Sequence, residues 1–468
     1  MRMLCVAVWF AASIAAAKAD DPAPSETSGT VSYYNQIRPI LHASCQGCHQ
    51  PARAGGGMVL THYTSMLTPG DSDEPLFVAG KPEESLFVTQ ISGEEPLMPK
   101  DADPLAKDQI ELIRRWILEG AKDDSPASAS VVVDAEHPPV YNQMPVVTAL
   151  DFSPDGSLLA VSGNHEVLLH KADGSELVGR LIGLSSRIES LAFSPGGERL
   201  AVTGGSPGRF GELQVWNIAE RKLLYSVSIT YDTIYGASWS PDAKLIALGC
   251  ADNTLRAVDS ETGKEVLFQG AHADWVLDTV FSVDGSHLVS VSRDRSMKLT
   301  EVATQQFVDN ITSITPGALK GGLAAVDRRP ATDELLIGGA DGVPKLYQMY
   351  RTKDRKIGDD YNLIRKFGAM PGRVSDVAFS RDGSLLVAAS SDGRGGEVRV
   401  YHTDDAKLVA KCEGQNGPVY AVSFRPDGKV VASAGFDGKV RLNDAATGAL
   451  LHEFVPVPMV PDAVAKSQ

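Results

Sequence analysis

Phe152-Ser153-Pro154-Asp155-Gly156 is the stretch on which the fold turns, because it returns along the chain. It comes back as Phe193-Ser194-Pro195-Gly196-Gly197, and the anchor position recurs at Trp239, Phe281, Phe379 and Phe424, with Arg328 in a degenerate copy. Anchors lie 41–51 residues apart, a period that marks repeat architecture. Around each anchor an alternating apolar strand leads into a tight turn, and a second apolar strand runs to a Gly or Ser pair. A second turn is marked by Asp252, Asp294, Asp341, Asp392 and Asp437, before a third strand and a fourth such as Leu450 to Val455. Seven units of four strands predict a closed ring, which leaves none of the exposed edges of an open sheet.

Upstream of the repeats, residues 45–49 read Cys-Gln-Gly-Cys-His, the C-x-x-C-H spacing of covalent c-type haem attachment. Two thiols two residues apart on a helical turn meet the two vinyl groups of a porphyrin, and the next residue brings its imidazole beneath the iron. With 5 Cys and 10 His in 468 residues, chance supplies roughly a thousandth of such a motif per chain. A redox dithiol would need βαβ surroundings, and a zinc site would need a second close cysteine pair. The flanks suit a small all-α domain. Tyr33 to Leu41 reads as a helix with Tyr34, Ile37 and Leu41 on one face, and Lys107 to Glu119 as a second, with Ile110, Ile113, Trp116 and Ile117 as a core stripe and Gly120 as the stop.

A second axial ligand must come from His42, Met58, His62, Met66 or Met98. Met98 is preferred, because Pro96 and Pro99 stiffen the loop that would hold its thioether on the iron. Tyr34-Asn35-Gln36-Ile37-Arg38-Pro39-Ile40-Leu41, Gly80-Lys81-Pro82-Glu83-Glu84-Ser85-Leu86 and Leu97-Met98-Pro99 together resemble the Planctomycete-type cytochrome c domain over residues 31–123. That resemblance implies one haem c per chain, bound through Cys45, Cys48 and His49, with Met98 of the Met-Pro pair as the other iron ligand. The Gly-rich loop from Ala52 to Gly57 departs from the pattern and implies a more exposed haem edge.

The chain divides into a leader (1–19), the cytochrome-like domain (30–124), a linker (125–144), the repeats (145–458) and a tail (459–468). Arg2, the apolar run Met3 to Ala17 and Ala17-Lys18-Ala19 have the form of a cleaved signal peptide, so the expected location is periplasmic or otherwise exported. Cleavage would take the net charge from −15 to −17. That charge argues against a nucleic acid or an anionic membrane as partner, and the 17 acidic and 8 basic side chains of residues 20–124, a net of −9, would steer a partner with a basic face to the first domain. Cys5 falls in the leader, and Cys250 and Cys412 read as buried free thiols. Val131 to Val133 is the one candidate strand of the linker.

Residues 145–456 resemble the WD-repeat propellers. Trp216 alone stands at the tryptophan position, which elsewhere holds His170, Val258, Thr300, Tyr347, Tyr401 and Asn443, and only Gly270-Ala271-His272 matches the Gly-His element. The implied fold is a small all-α c-type cytochrome domain followed by an all-β seven-bladed propeller. The expected function is extracytoplasmic electron transfer by a mono-haem cytochrome, the propeller docking a redox partner protein. The alternatives are a redox enzyme with a second cofactor in the propeller, and a haem-based sensor or scaffold. An enzyme would need ligands converging on the propeller axis, and the propeller histidines sit at ordinary repeat positions. Arg209 and Arg394, in two inserted loops, are expected to form a basic spot facing the acidic domain or an outside partner.

Overall fold

A computed structural model of the chain describes residues 30–46, 48–50, 53–100, 103–125, 133, 137–270, 272–313, 320–356 and 358–460. The expected leader, Cys5 and residues 131–132 lie outside them, and no helix among the described residues is long and apolar enough to cross a membrane.

The repeat folds as the period requires. Seven four-stranded antiparallel sheets form, each with its strands paired in chain order. Blade 1 runs through Leu150–Phe152, Leu158–Ser162, Glu166–Lys171 and Leu177–Ile182. The innermost strands of blades 2 to 7 are Arg187–Phe193, Ile234–Trp239, Val276–Phe281, Leu323–Arg328, Arg373–Phe379 and Val419–Phe424. The aromatic anchors end these strands and are buried.

The turn after each anchor explains the repeated signature. In blade 1 the Ser153 hydroxyl donates to Asp155 (2.5 Å) and accepts from the Leu158 N–H (2.9 Å), while Asp155 accepts from the Ser157 N–H (3.0 Å). The same cage recurs at Ser240/Asp242, Ser282/Asp284 and Ser380/Asp382. Gly156 closes the turn at φ +72°, a left-handed conformation that favours glycine. Blade 5 lacks the aromatic, and Arg328 takes its place by donating through Nε to the Phe281 carbonyl (2.8 Å) and through Nη1 to that of Arg329 (3.0 Å).

Every blade is built from contiguous sequence, so the ring closes without a shared strand. Blades 7 and 1 meet through one apolar cluster, with Leu150, Phe152 and Leu159 against Ala432, Val440 and Leu442. A clasp lies outside it. Tyr141 bridges Met459, the Val460 N–H donates to the Tyr141 carbonyl (3.1 Å), and the Tyr141 hydroxyl donates to Glu166 (2.8 Å), which Arg180 also holds.

The N-terminal module is helical. A wide turn, Tyr33–Ile37, leads into α1 (Arg38–Ser44); α2 (Leu86–Ile91) and α3 (Lys107–Leu118) follow. Pro39 has no N–H to return to Asn35, and the bonds before it span five residues, as from Ile37 N–H to the Ser32 carbonyl (3.2 Å). Trp116 is the centre of the core. It is 1% exposed, stacks on Tyr33 at 5.6 Å, meets Phe77 edge-on at 5.1 Å, and donates through Nε1 to the Lys122 carbonyl (2.9 Å).

Candidate functional site

α1 runs directly into the Cys-x-x-Cys-His motif. The Cys45 N–H bonds the Leu41 carbonyl (2.9 Å), and the N–H groups of Cys48 and His49 bond the Cys45 carbonyl (3.2 and 3.1 Å). One helical turn therefore gathers both thiols and the imidazole. Both cysteines are free; Cys48 is exposed and Cys45 half-buried. Burial, and secondarily Cys48, pushes the Cys45 thiol up to about 11. His49 Nδ1 is buried without a hydrogen-bond partner. Gly55 lies against this turn, where a Cβ would stand 3.1 Å from the Cys48 carbonyl oxygen and 3.3 Å from His49 Cε1. The glycine-rich loop thus packs on the motif at Gly55, whereas Gly56 and Gly57 face solvent.

Met98 sits in the loop between α2 and α3, its N–H bonded to the Gln90 carbonyl (2.9 Å) and its peptide bond to Pro99 cis. Half-buried Met98 and Cys45 border the same apolar core, in which Met58 and Met66 are fully packed; His42 and His62 lie at the surface. Met58 is held by Gly70, where a Cβ would come within 2.7 Å of its sulfur.

The module meets the propeller on the face that carries the interblade loops. Arg209, in the inserted loop of blade 2, donates through Nη2 to the Thr61 carbonyl (3.4 Å). Arg394 is exposed, and its loop is folded on itself by the Asp392 carboxylate, so the two arginines do not share one described contact. The same face exposes Leu184, Tyr231, Trp275 and Phe436. Tyr235 stacks on Trp275 at 5.4 Å, and the Arg293 guanidinium lies 4.4 Å over the indole. Arg187, Tyr235 and Phe436 line the axial channel.

The channel holds four aspartates that sequence reading missed. Each accepts a backbone N–H from the next blade: Asp151 from Phe193 (3.0 Å), Asp278 from Val326 (2.9 Å), Asp327 from Phe379 (2.7 Å) and Asp376 from Val422 (2.8 Å). Burial pushes them up, to about 7, 8, 6 and 7 respectively, against the pull of those N–H groups. Their role is to stitch neighbouring blades. The signal was a charged residue interrupting a strand whose neighbours are apolar.

Blade 4 holds a hydrogen-bonded trio. His272 meets Ser290 through Nε2 (2.8 Å) and Asp294 through Nδ1 (3.0 Å). Burial works against the Asp294 carboxylate, yet bonds from His272 and Ser296 hold it below the usual carboxylate range. Elsewhere the replacements at the tryptophan position find partners of their own. Trp216 donates to Gln214 (2.9 Å), His170 bonds the Pro456 carbonyl (2.9 Å), and Tyr401 donates to the Gly368 carbonyl (3.2 Å). Among the described residues no three His, Cys, Asp or Glu side chains converge as metal ligands.

Comparison with known proteins gives two family matches. The Planctomycete cytochrome C model matches residues 45–102, and the WD domain, G-beta repeat model matches 140–170, 222–259, 263–300, 362–395 and 406–444. The chain is 26% identical over 275 residues to eukaryotic translation initiation factor 3 subunit I of Aspergillus oryzae, covering 55% of this chain and 79% of that protein. It is 24% identical to the same subunit of Emericella nidulans over 273 residues, with the same coverage. The WD repeat-containing protein 91 homolog of Dictyostelium discoideum is 29% identical over 109 residues, 23% of this chain and 14% of that protein. These matches correct the expected function. The relatives are WD-repeat proteins, among them subunits of a multi-subunit factor, so the similarity points to a WD-repeat propeller scaffold for protein–protein contact. The reading as an extracytoplasmic electron carrier, with the propeller as its accessory, is overturned.

Proposed function

We propose that this chain is a scaffold whose seven-bladed propeller receives a protein partner on its loop face and keeps a haem-bearing module beside that face. The observation that carries the scaffold reading is the closed ring with Trp275, Tyr231 and Phe436 exposed on one side. Aromatic side chains beside cations are what protein interfaces use as anchors. The Arg209–Thr61 contact supports placing the module on that same side. The net charge of −9 over residues 20–124 favours a partner with a basic face.

The donor set of the module suits haem c. Two unpaired thiols share a turn with an imidazole whose Nδ1 is unsatisfied, and Cys45 borders an apolar core able to shield a porphyrin face. Cys45 and Cys48 would hold the group covalently, and His49 and Met98 would be its iron ligands; the haem would supply a redox-active iron. Covalent attachment of this kind accompanies export, in keeping with the leader-like first 19 residues.

Two measurements test the scaffold and the haem separately. Cross-linking in the native cell should identify a protein partner whose yield drops in a Trp275→Ala, Phe436→Ala double variant that still folds; unchanged cross-links would remove the scaffold reading. Denatured protein from a host that matures c-type cytochromes should keep its pigment through acid–organic extraction, and Cys45→Ser with Cys48→Ser should abolish this. Pigment that extracts, or is absent, would end the haem assignment.

A further inference from the structure

We infer that Arg38, Arg209 and His62, with the Thr61 hydroxyl, form a binding site for a carboxylate or phosphate anion at the junction between the helical module and the propeller. Arg209 is half-buried, its Nη2 donates to the Thr61 carbonyl at 3.4 Å, and its Nε is buried with no partner. Thr61 is 6% exposed, and its hydroxyl is buried and unpartnered as well. Arg38 supplies a second guanidinium, held 5.1 Å over the Tyr34 ring. Each of these groups can donate a hydrogen bond, and two of them leave a donor unused.

The charges agree with the geometry. Burial and then Arg38 lower the Arg209 guanidinium from its usual value, and burial, Arg209 and Arg38 lower the His62 imidazole, whose ring still reaches solvent. Among the described residues no carboxylate acts on either group. Three other sunk arginines of the propeller have a carboxylate partner, Arg180 with Glu166, Arg256 with Asp252 and Arg441 with Asp437, and Arg328 spends its donors on backbone carbonyls. Desolvating cations beside one another is unfavourable unless an anion joins them, and a guanidinium binds two oxygens of a carboxylate or a phosphate at once.

Two sources share this chemistry. The Leu60 N–H bonds the His49 carbonyl (2.9 Å), and the Leu60 carbonyl accepts from Gln46 (2.8 Å), so Thr61 abuts the cysteine turn. One source is therefore a propionate of haem carried there, which rests on the haem proposal. The other is a free anion from solution.

Full-length protein made with and without haem maturation separates them, with inorganic phosphate at constant ionic strength as the probe, read by calorimetry. The unmatured chain is expected to bind phosphate, and Arg209→Gln and Arg38→Gln to weaken binding by about tenfold or more, with Arg209→Lys intermediate. Loss of phosphate binding on maturation, with the pH titration of the haem absorption band displaced in Arg209→Gln, assigns the propionate. Phosphate that still binds the matured chain assigns the free anion. A band displaced in Arg209→Gln supports the site even if the unmatured chain binds no phosphate. Phosphate binding that both Gln variants leave unchanged overturns the inference. So does an absence of phosphate binding with an undisplaced band, or without haem on the matured protein, so failure of haem attachment alone does not decide the question.

Discussion

Single residues divide the carboxylates of this molecule into two groups that respond to pH in opposite senses. Asp151, Asp278, Asp327 and Asp376 line the channel and are raised to between about 6 and 8 by burial. A carboxyl raised in the fold favours folding while protonated, so this contribution is complete below the ordinary carboxylate range and is lost as pH rises through about 6 to 8. The turn aspartates Asp155, Asp242 and Asp382 are lowered, first by their serine hydroxyls, so their smaller contribution is lost as pH falls through the acid range. The melting temperature should therefore peak near about pH 5 and decline toward pH 8.5, and Asp278→Asn, which keeps an acceptor for the Val326 N–H, should flatten that decline. A flat wild-type profile between these values would contradict the account. His272→Ala should cost about 1–3 kcal/mol in denaturant unfolding, since it leaves the buried Ser290 hydroxyl without its partner and removes one of the bonds that hold the Asp294 carboxylate. That Cys45, Cys48 and His49 share one turn was legible at this scale because their spacing is local. The channel aspartates were not, because an inward carboxylate in an alternating strand looks like a solvated one until the ring brings the N–H of the next blade to it.

At the scale of elements, sequence pattern worked where an apolar stripe ran its full length. By its stripe α3 reads as Lys107 to Glu119, and it ends at Leu118. The first helix reads as Tyr33 to Leu41, yet it begins as a wide turn and continues through Ser44. Beyond Leu41 the helix turns His42 and Ala43 to solvent, so periodicity gave no sign of them. α2 escaped because six residues are too few to separate a helical period from a buried strand. α3 also shows how the module is held. Trp116→Ala should cost about 3–5 kcal/mol of the module's stability, because the indole contacts Tyr33 and Phe77 and no neighbour can fill its volume. Calorimetry should show an early transition splitting away while the strand signal of the propeller stays put; one unsplit transition would mean that module and propeller unfold together.

For the whole molecule, the repeat period gave seven blades before any contact was known, since each blade is one uninterrupted stretch and a ring is the arrangement that hides its edges. The meeting of module and propeller was only half legible. Arg209 stood out as an inserted cation, but its contact with Thr61 joins residues 148 apart, and no local pattern carries such a pairing. Ring closure likewise rests on distant residues. Tyr141→Ala should remove about 3 kcal/mol and make amides of blades 1 and 7 exchange before those of blades 3 to 5, as read by hydrogen exchange; uniform exchange would place the weak seam elsewhere. The uninterrupted blades also set how the molecule would bear a load. Tension applied at residues 141 and 460 would open the small bridge between Tyr141 and Met459 first and then peel sheets away in series, giving up extension in seven similar steps, as a zip fastener yields tooth by tooth.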